Sequence, residues 1–166
     1  MENTTLGHLF LKELEAEVPA SRKCLERIPF NLKDYKPHEK SMAMGYLTLL
    51  VAEIPKWIEV MAEGGEMDFA TWKHIEPKSK EEVVNYFDDN VKGARKALQK
   101  VSDNNMAKLF TLKNKGEAVF SAPTGDFISS TINHLVHHRG QLTVYMRLNN
   151  ILVPSIYGPS ADEKGF

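Results

Sequence analysis

The chain has 166 residues, with 42% hydrophobic and 26% charged residues, a composition that suits one globular domain and excludes a disordered chain. Its formal net charge of −1 and pI near 6.6 provide no field to gather polyphosphates, so general nucleic-acid binding is excluded from the expectations. No apolar run is long enough to cross a bilayer, and the opening Met-Glu-Asn-Thr-Thr-Leu-Gly-His lacks the basic-then-apolar order of a secretory signal. A single cysteine, Cys24, leaves no internal disulfide and fits a reducing compartment, so a cytoplasmic address is expected.

Four segments repeat apolar residues every three or four positions, the spacing that lines one side of a helix. The first carries Leu6, Phe10, Leu14, Val18, Leu25 and Ile28, with Pro19 expected to kink or divide it. The second starts near Ser41, reads Leu47, Leu50, Ile54, Trp57 and Met61, and ends at Gly64-Gly65. Pro55 lies inside it and removes the helical partner of the Val51 carbonyl, which predicts a bend. Ser79 and Glu82 have capping-box spacing and open the third, which runs through Val83, Phe87, Val91, Ala94, Leu98 and Val101.

The fourth begins between Pro123 and Asp126 and runs to Asn149-Asn150, with Phe127, Thr131, His134, His138, Gln141, Tyr145 and Leu148 along one seam. Between the third and fourth, Leu109 to Phe120 surrounds Asn114-Lys115-Gly116, a turn that predicts a short hairpin. Phe69 and Trp72 predict that the long connection from Gly64 to Lys78 packs onto the helices. The expected fold is therefore all-α: a four-helix bundle spanning residues 1–166 as one domain, with long connections that can cross it.

His134 and His138 are four apart, so a helix points both imidazoles the same way and lets them bind one metal ion. Their other reading is a pair of buried, hydrogen-bonded histidines that fix the helix in register. His137 turns about 100° from its neighbour and faces a partner or solvent. Arg139 either clamps an anionic substrate or pairs with an acidic residue of the third helix. Gly140 costs a helix interior about 1 kcal/mol, which predicts close approach by another group. Tyr145 is either a proton donor or a buried tyrosine with a satisfied hydroxyl. Cys24, near Arg22 and Lys23 but without a base, reads as an inert thiol.

From Ile132 the chain reads Ile-Asn-His-Leu-Val-His-His-Arg-Gly-Gln-Leu-Thr-Val-Tyr-Met-Arg-Leu, and later Val153-Pro154-Ser155-Ile156-Tyr157-Gly158-Pro159-Ser160-Ala161-Asp162-Glu163. This resembles the DinB family of bacterial four-helix proteins, whose last long helix carries His-x-x-x-His followed by Arg-Gly-Gln. The stretches Arg27-Ile28-Pro29, Lys40-Ser41-Met42 and Ala52-Glu53-Ile54-Pro55-Lys56-Trp57 extend the resemblance over most of the chain. It implies a divalent transition metal, Zn or Ni, held by three histidines, and chemistry that uses a low-molecular-weight thiol, as in a metal-dependent thiol transferase. His134 and His138 match two of the ligands. The third falls on Leu50, which cannot coordinate.

Glu53, one turn beyond Leu50, is the residue that could replace the missing ligand, and its other reading is a solvated charge. His38 and His74 are the other candidates for that place, but both lie in connections and are expected to be exposed. The resemblance implies a homodimer, while the apolar tail residues Ile151, Val153, Ile156 and Tyr157 could equally fold back onto their own helices. Two functions follow: a metal-dependent enzyme with a pocket around His134 and His138, or a non-enzymatic small-molecule-binding or homodimeric bundle that has lost the metal site.

Overall fold

Side-chain caps start the first and third of the four long helices, the third at the serine where the sequence places it. In the computed structural model, which describes residues 5–165, Thr5 caps α1 (Leu6–Arg27) by accepting from the His8 N–H. After a single 3-10 turn at Phe30–Leu32, α2 runs over Met44–Glu63 and stops at Gly64, whose φ of +92° a side chain would resist. Ser79 caps α3 (Lys80–Lys100) by accepting from the Glu82 N–H at 3.2 Å, while the Glu82 carboxylate accepts from the Lys78 N–H at 2.8 Å. A short α4 (Asp103–Met106) precedes the fourth long helix, α5 (Thr124–Leu148). The reading of Met1–Thr4 as no secretory leader lies outside the described residues.

Pro19 does not divide α1, which continues through it with the proline ring exposed. In α2 the buried Asn90 amide of α3 donates to the Ala52 carbonyl at 3.0 Å, within the turn where Pro55 opens the backbone ladder.

The all-α expectation needs correction, because the mostly helical chain carries a three-stranded sheet in the order β1-β2-β3. The predicted hairpin is β2 (Leu109–Asn114) against β3 (Glu117–Pro123), joined at Lys115 and Gly116. Both turn residues have positive φ, +54° and +81°, the backbone that a tight two-residue hairpin demands. The unexpected strand is β1 (Glu66–Asp68), which pairs parallel to β2 with Met67 beside Leu112. The Asp68 carboxylate fastens it by accepting from the backbone N–H groups of Lys115 at 3.0 Å and Gly116 at 2.7 Å.

The four long helices enclose one apolar core to which Leu14, Leu25, Leu47, Ile54, Phe87, Leu98, Ile128, Leu135 and Leu142 contribute with no exposed surface. α2 packs against α3 and α5, and α1 packs against the same two, so α1 and α2 sit diagonally and meet at few points. Gly7 lets α1 approach α3 closely, since a Cβ there would lie 2.4 Å from the Leu98 carbonyl oxygen. No helix among the described residues is long and apolar enough to cross a membrane.

Truncating Phe87, fully buried between helices, is expected to cost about 3–5 kcal/mol of unfolding free energy in urea. Ser79→Ala, which removes only a cap, is expected to cost about 1 kcal/mol. Equal losses in the two variants would mean that the core is not centred on α3.

Candidate functional site

The histidine pair is placed by α5 alone. Positions 134 and 138 are one turn apart on an unbroken helix, and the two Nε2 atoms approach to 2.6 Å with ring centroids 4.4 Å apart. His138 is buried, with 7% exposure, and its Nδ1 lies 2.8 Å from Oε1 of Gln141, three residues on. Because a carboxamide oxygen only accepts, Nδ1 of His138 carries the proton. Its Nε2 is then the acceptor in neutral His138, and the Nε2–H of His134 donates to it.

His134 is half-buried, and the Trp57 indole of α2 lies against it at 5.6 Å between ring centroids. Burial pushes the pKa of both histidines down, as the charged form loses hydration. The neighbouring imidazoles lower it further, and the Gln141 contact partly opposes the effect at His138. The pair is therefore neutral at pH 7, the state in which imidazole nitrogens accept protons or coordinate metals. His137 is exposed, its ring 5.1 Å from that of His138, and does not join the convergent pair.

Glu53 corrects one expectation. It is not a solvated charge but a carboxylate with no exposed surface. It accepts from the Trp72 indole N–H at 2.8 Å and the Tyr86 hydroxyl at 3.2 Å, and Nδ1 of His74 lies 2.9 Å from Oε1. Its two oxygens thus face the α2–α3 connection and α3. Among the described residues no group of three or more His, Cys, Asp and Glu is placed to hold a metal ion, so Glu53 is not brought to the histidine pair. Leu50, at the position matched to the missing ligand, is buried in the apolar core. His74 is 43% exposed at its side chain, and His38 is exposed, as expected of residues in connections.

Arg139 has no free face for a substrate. Its side chain is 2% exposed, and it pairs with Glu17 of α1 at 2.6 Å instead of with an acidic residue of α3. Its guanidinium also donates to the Tyr157 hydroxyl at 2.8 Å, and that hydroxyl donates to Glu17 at 2.9 Å. These contacts fold the tail back onto its own helices, with Ile151 buried and Val153 packed on the core. Nearby, burial pushes the Cys24 thiol up to about 11 against the pull of Arg139 and Arg27, which makes it inert at neutral pH.

Gly140 does not meet the close approach expected of it: a Cβ there would find nothing within 4 Å, and nothing in the structure explains the glycine. The Tyr145 hydroxyl donates to the Met42 carbonyl at 3.0 Å, which makes it a satisfied buried tyrosine. Sequence reasoning missed the Glu53–Trp72–His74–Tyr86 cluster, whose members are 19, 21 and 33 residues from Glu53. Trp72 in a polar connection was the one signal that could have pointed to it.

Comparison with known proteins gives a consistent picture. A family model described as the DinB family matches residues 1–164. Three solved structures share the fold. A DinB-like protein from Bacillus cereus ATCC 10987 has a TM-score of 0.65 and 23% identity, covering 89% of this chain and 95% of that one. A DinB-like protein from Bacillus subtilis has a TM-score of 0.67 and 16% identity over 88% and 95%. A protein of Exiguobacterium sibiricum 255-15, described as a putative member of the DinB family, has a TM-score of 0.63 and 16% identity over 87% and 92%. The uncharacterised protein YrdA of Bacillus subtilis (strain 168) is 49% identical over 41 residues, a stretch that is 25% of each chain.

Two outcomes are expected from these contacts. Glu17→Ala leaves the Arg139 charge buried without its counter-ion and should cost about 3–5 kcal/mol in urea unfolding. Glu17→Leu combined with Arg139→Met should recover much of that loss, and equal instability of single and double variants would contradict the assigned pairing. The depressed histidine pKa values also give stability a pH slope, since the unfolded chain binds protons from about 6.5 downward while the folded pair still resists them. Stability is complete above that value and falls as pH drops through it towards the folded pKa values. The urea midpoint should therefore be lower at pH 5.5 than at pH 7.5, with a smaller difference in His134→Gln combined with His138→Gln.

Proposed function

This chain belongs to the DinB family, and on that premise we propose that it is a member without a resident three-ligand metal centre, whose histidine pair serves as a metal-free, small-molecule-binding site. The contact that carries this reading is the 2.6 Å approach of the two Nε2 atoms, with Gln141 holding the far side of His138. Each imidazole satisfies the other. Two nitrogens at bonding distance from one tetrahedral ion sit about 3.4 Å apart, so the pair is spaced as a hydrogen bond and would have to open to chelate.

The donor set does not fit the three-histidine centre that the family resemblance implies. Leu50 fills the place of the third ligand with apolar volume, and Glu53 is engaged by Trp72, His74 and Tyr86. What the pair supplies by itself is a neutral donor and acceptor couple, half-open beside an indole. That couple suits a small polar molecule able to exchange hydrogen bonds with an imidazole. The homodimer implied by the resemblance belongs to the same proposal, supported by Val144 and Leu148 exposed on the outer side of α5 and Leu152 exposed just beyond it. So does the cytoplasmic address, supported by the single buried thiol.

A second reading is favoured by the same convergence. Two neutral imidazoles on one helix face are competent ligands for a weakly held Zn or Ni ion, with the remaining positions left to an exogenous thiol as in a transferase. Metal analysis of protein purified without a histidine tag separates the two. The proposal expects only traces of zinc and nickel in wild type and in His138→Ala alike. Leu50→His is expected to gain about one zinc ion per chain, since it completes a three-ligand set. Stoichiometric metal in wild type that His138→Ala loses would overturn the proposal in favour of the thiol-dependent enzyme.

A further inference from the structure

Glu53 stands apart from the histidine pair, yet a line of side-chain contacts joins them. A carboxylate with no exposed surface is costly unless donors replace its hydration, and three do so: Trp72, His74 and Tyr86. None of the three carries a permanent charge. Two of them, Trp72 and His74, belong to the connection between α2 and α3, so the cost of releasing the carboxylate holds that connection in place. On its far side the Trp72 ring meets the Trp57 ring edge-on, with centroids 6.5 Å apart at 81°.

Trp57 in turn lies 5.6 Å from His134. The Trp57 indole nitrogen is buried and has no hydrogen-bond partner among the described residues, so packing alone sets the orientation of its ring. The neighbours that set it include Trp72, and the position of Trp72 is fixed by Glu53. We infer that Glu53 is a positioning residue, which holds Trp57 against His134 through Trp72 and thereby keeps one wall of the histidine site closed. The inference rests on the reading that His134 and His138 form the site, but not on whether the pair is free of metal.

The wall can be tested without a known ligand by the rate at which diethyl pyrocarbonate labels His134, followed by peptide mass spectrometry. The exposed His38 provides the internal reference. Glu53→Gln keeps the shape of the side chain but weakens its acceptor set, and Trp72→Phe keeps a ring while removing the N–H. In both variants His134 is expected to label about threefold to tenfold faster than in wild type, the factor that loss of one net hydrogen bond allows. His38 should be unchanged, as should all rates in Glu76→Gln, an exposed position on the same connection.

An unchanged His134 rate in folded Glu53→Gln and Trp72→Phe protein would overturn the inference. Should Glu53→Gln lose its helical circular dichroism, Trp72→Phe decides alone, because it leaves the carboxylate in place. Metal analysis is an independent readout: a zinc-bearing wild type whose His134 still responds to Trp72→Phe would remove the metal-free reading and leave the role of Glu53 standing.

Discussion

A helix that turns two imidazoles and a guanidinium towards an apolar interior has to find a partner for each of them, and α5 meets that constraint in two ways. His134 and His138 satisfy each other within the helix, with Gln141 completing the line. Arg139, one residue on and rotated away, cannot be satisfied locally and draws its counter-ion from α1 and a hydroxyl from the tail. The consequence reaches beyond α5, since the ion pair with Glu17 fixes α1 against α5 and Tyr157 brings the tail over both. A buried ion pair of this kind contributes less to net stability than it enforces in arrangement, because leaving either charge alone is far worse than keeping both.

Glu53 of α2 meets the same problem with partners from other elements. Its carboxylate is sheltered by α2 and is answered only by residues from the long connection and from α3. The connection is further fastened by β1, which adds to the hairpin through Asp68. A segment that would otherwise be a long loop thus becomes a fixed wall, and the aromatic rings it carries reach the edge of the site. Two polar groups buried on different helices therefore shape one place: the imidazole pair itself and the surface that borders it.

The chemistry open to that place is set by two imidazoles that face each other at hydrogen-bonding distance. On the proposed reading, Leu50 stands where the family resemblance puts a ligand, and the two imidazoles bond to one another. Neutral histidines held in defined tautomers can give and take single protons or hydrogen bonds with a small partner. The core that holds the pair in place is built from apolar residues of the four long helices.

The four long helices, the cap at Ser79, the hairpin turn and the convergence of His134 with His138 were legible in the order of residues, because each depends on neighbours within a few positions. Ser79 and Glu82, Asn114-Lys115-Gly116, and two histidines one helical turn apart carry their geometry locally. The strand Glu66–Asp68 could not be read in that way: three residues have no periodicity, and a distant hairpin makes them a strand. Nor could the burial of Glu53, the choice of Glu17 over an α3 residue as partner of Arg139, or the open space around Gly140. Each of these is settled by which helices become neighbours, a property of packing among segments far apart in sequence that local spacing does not encode.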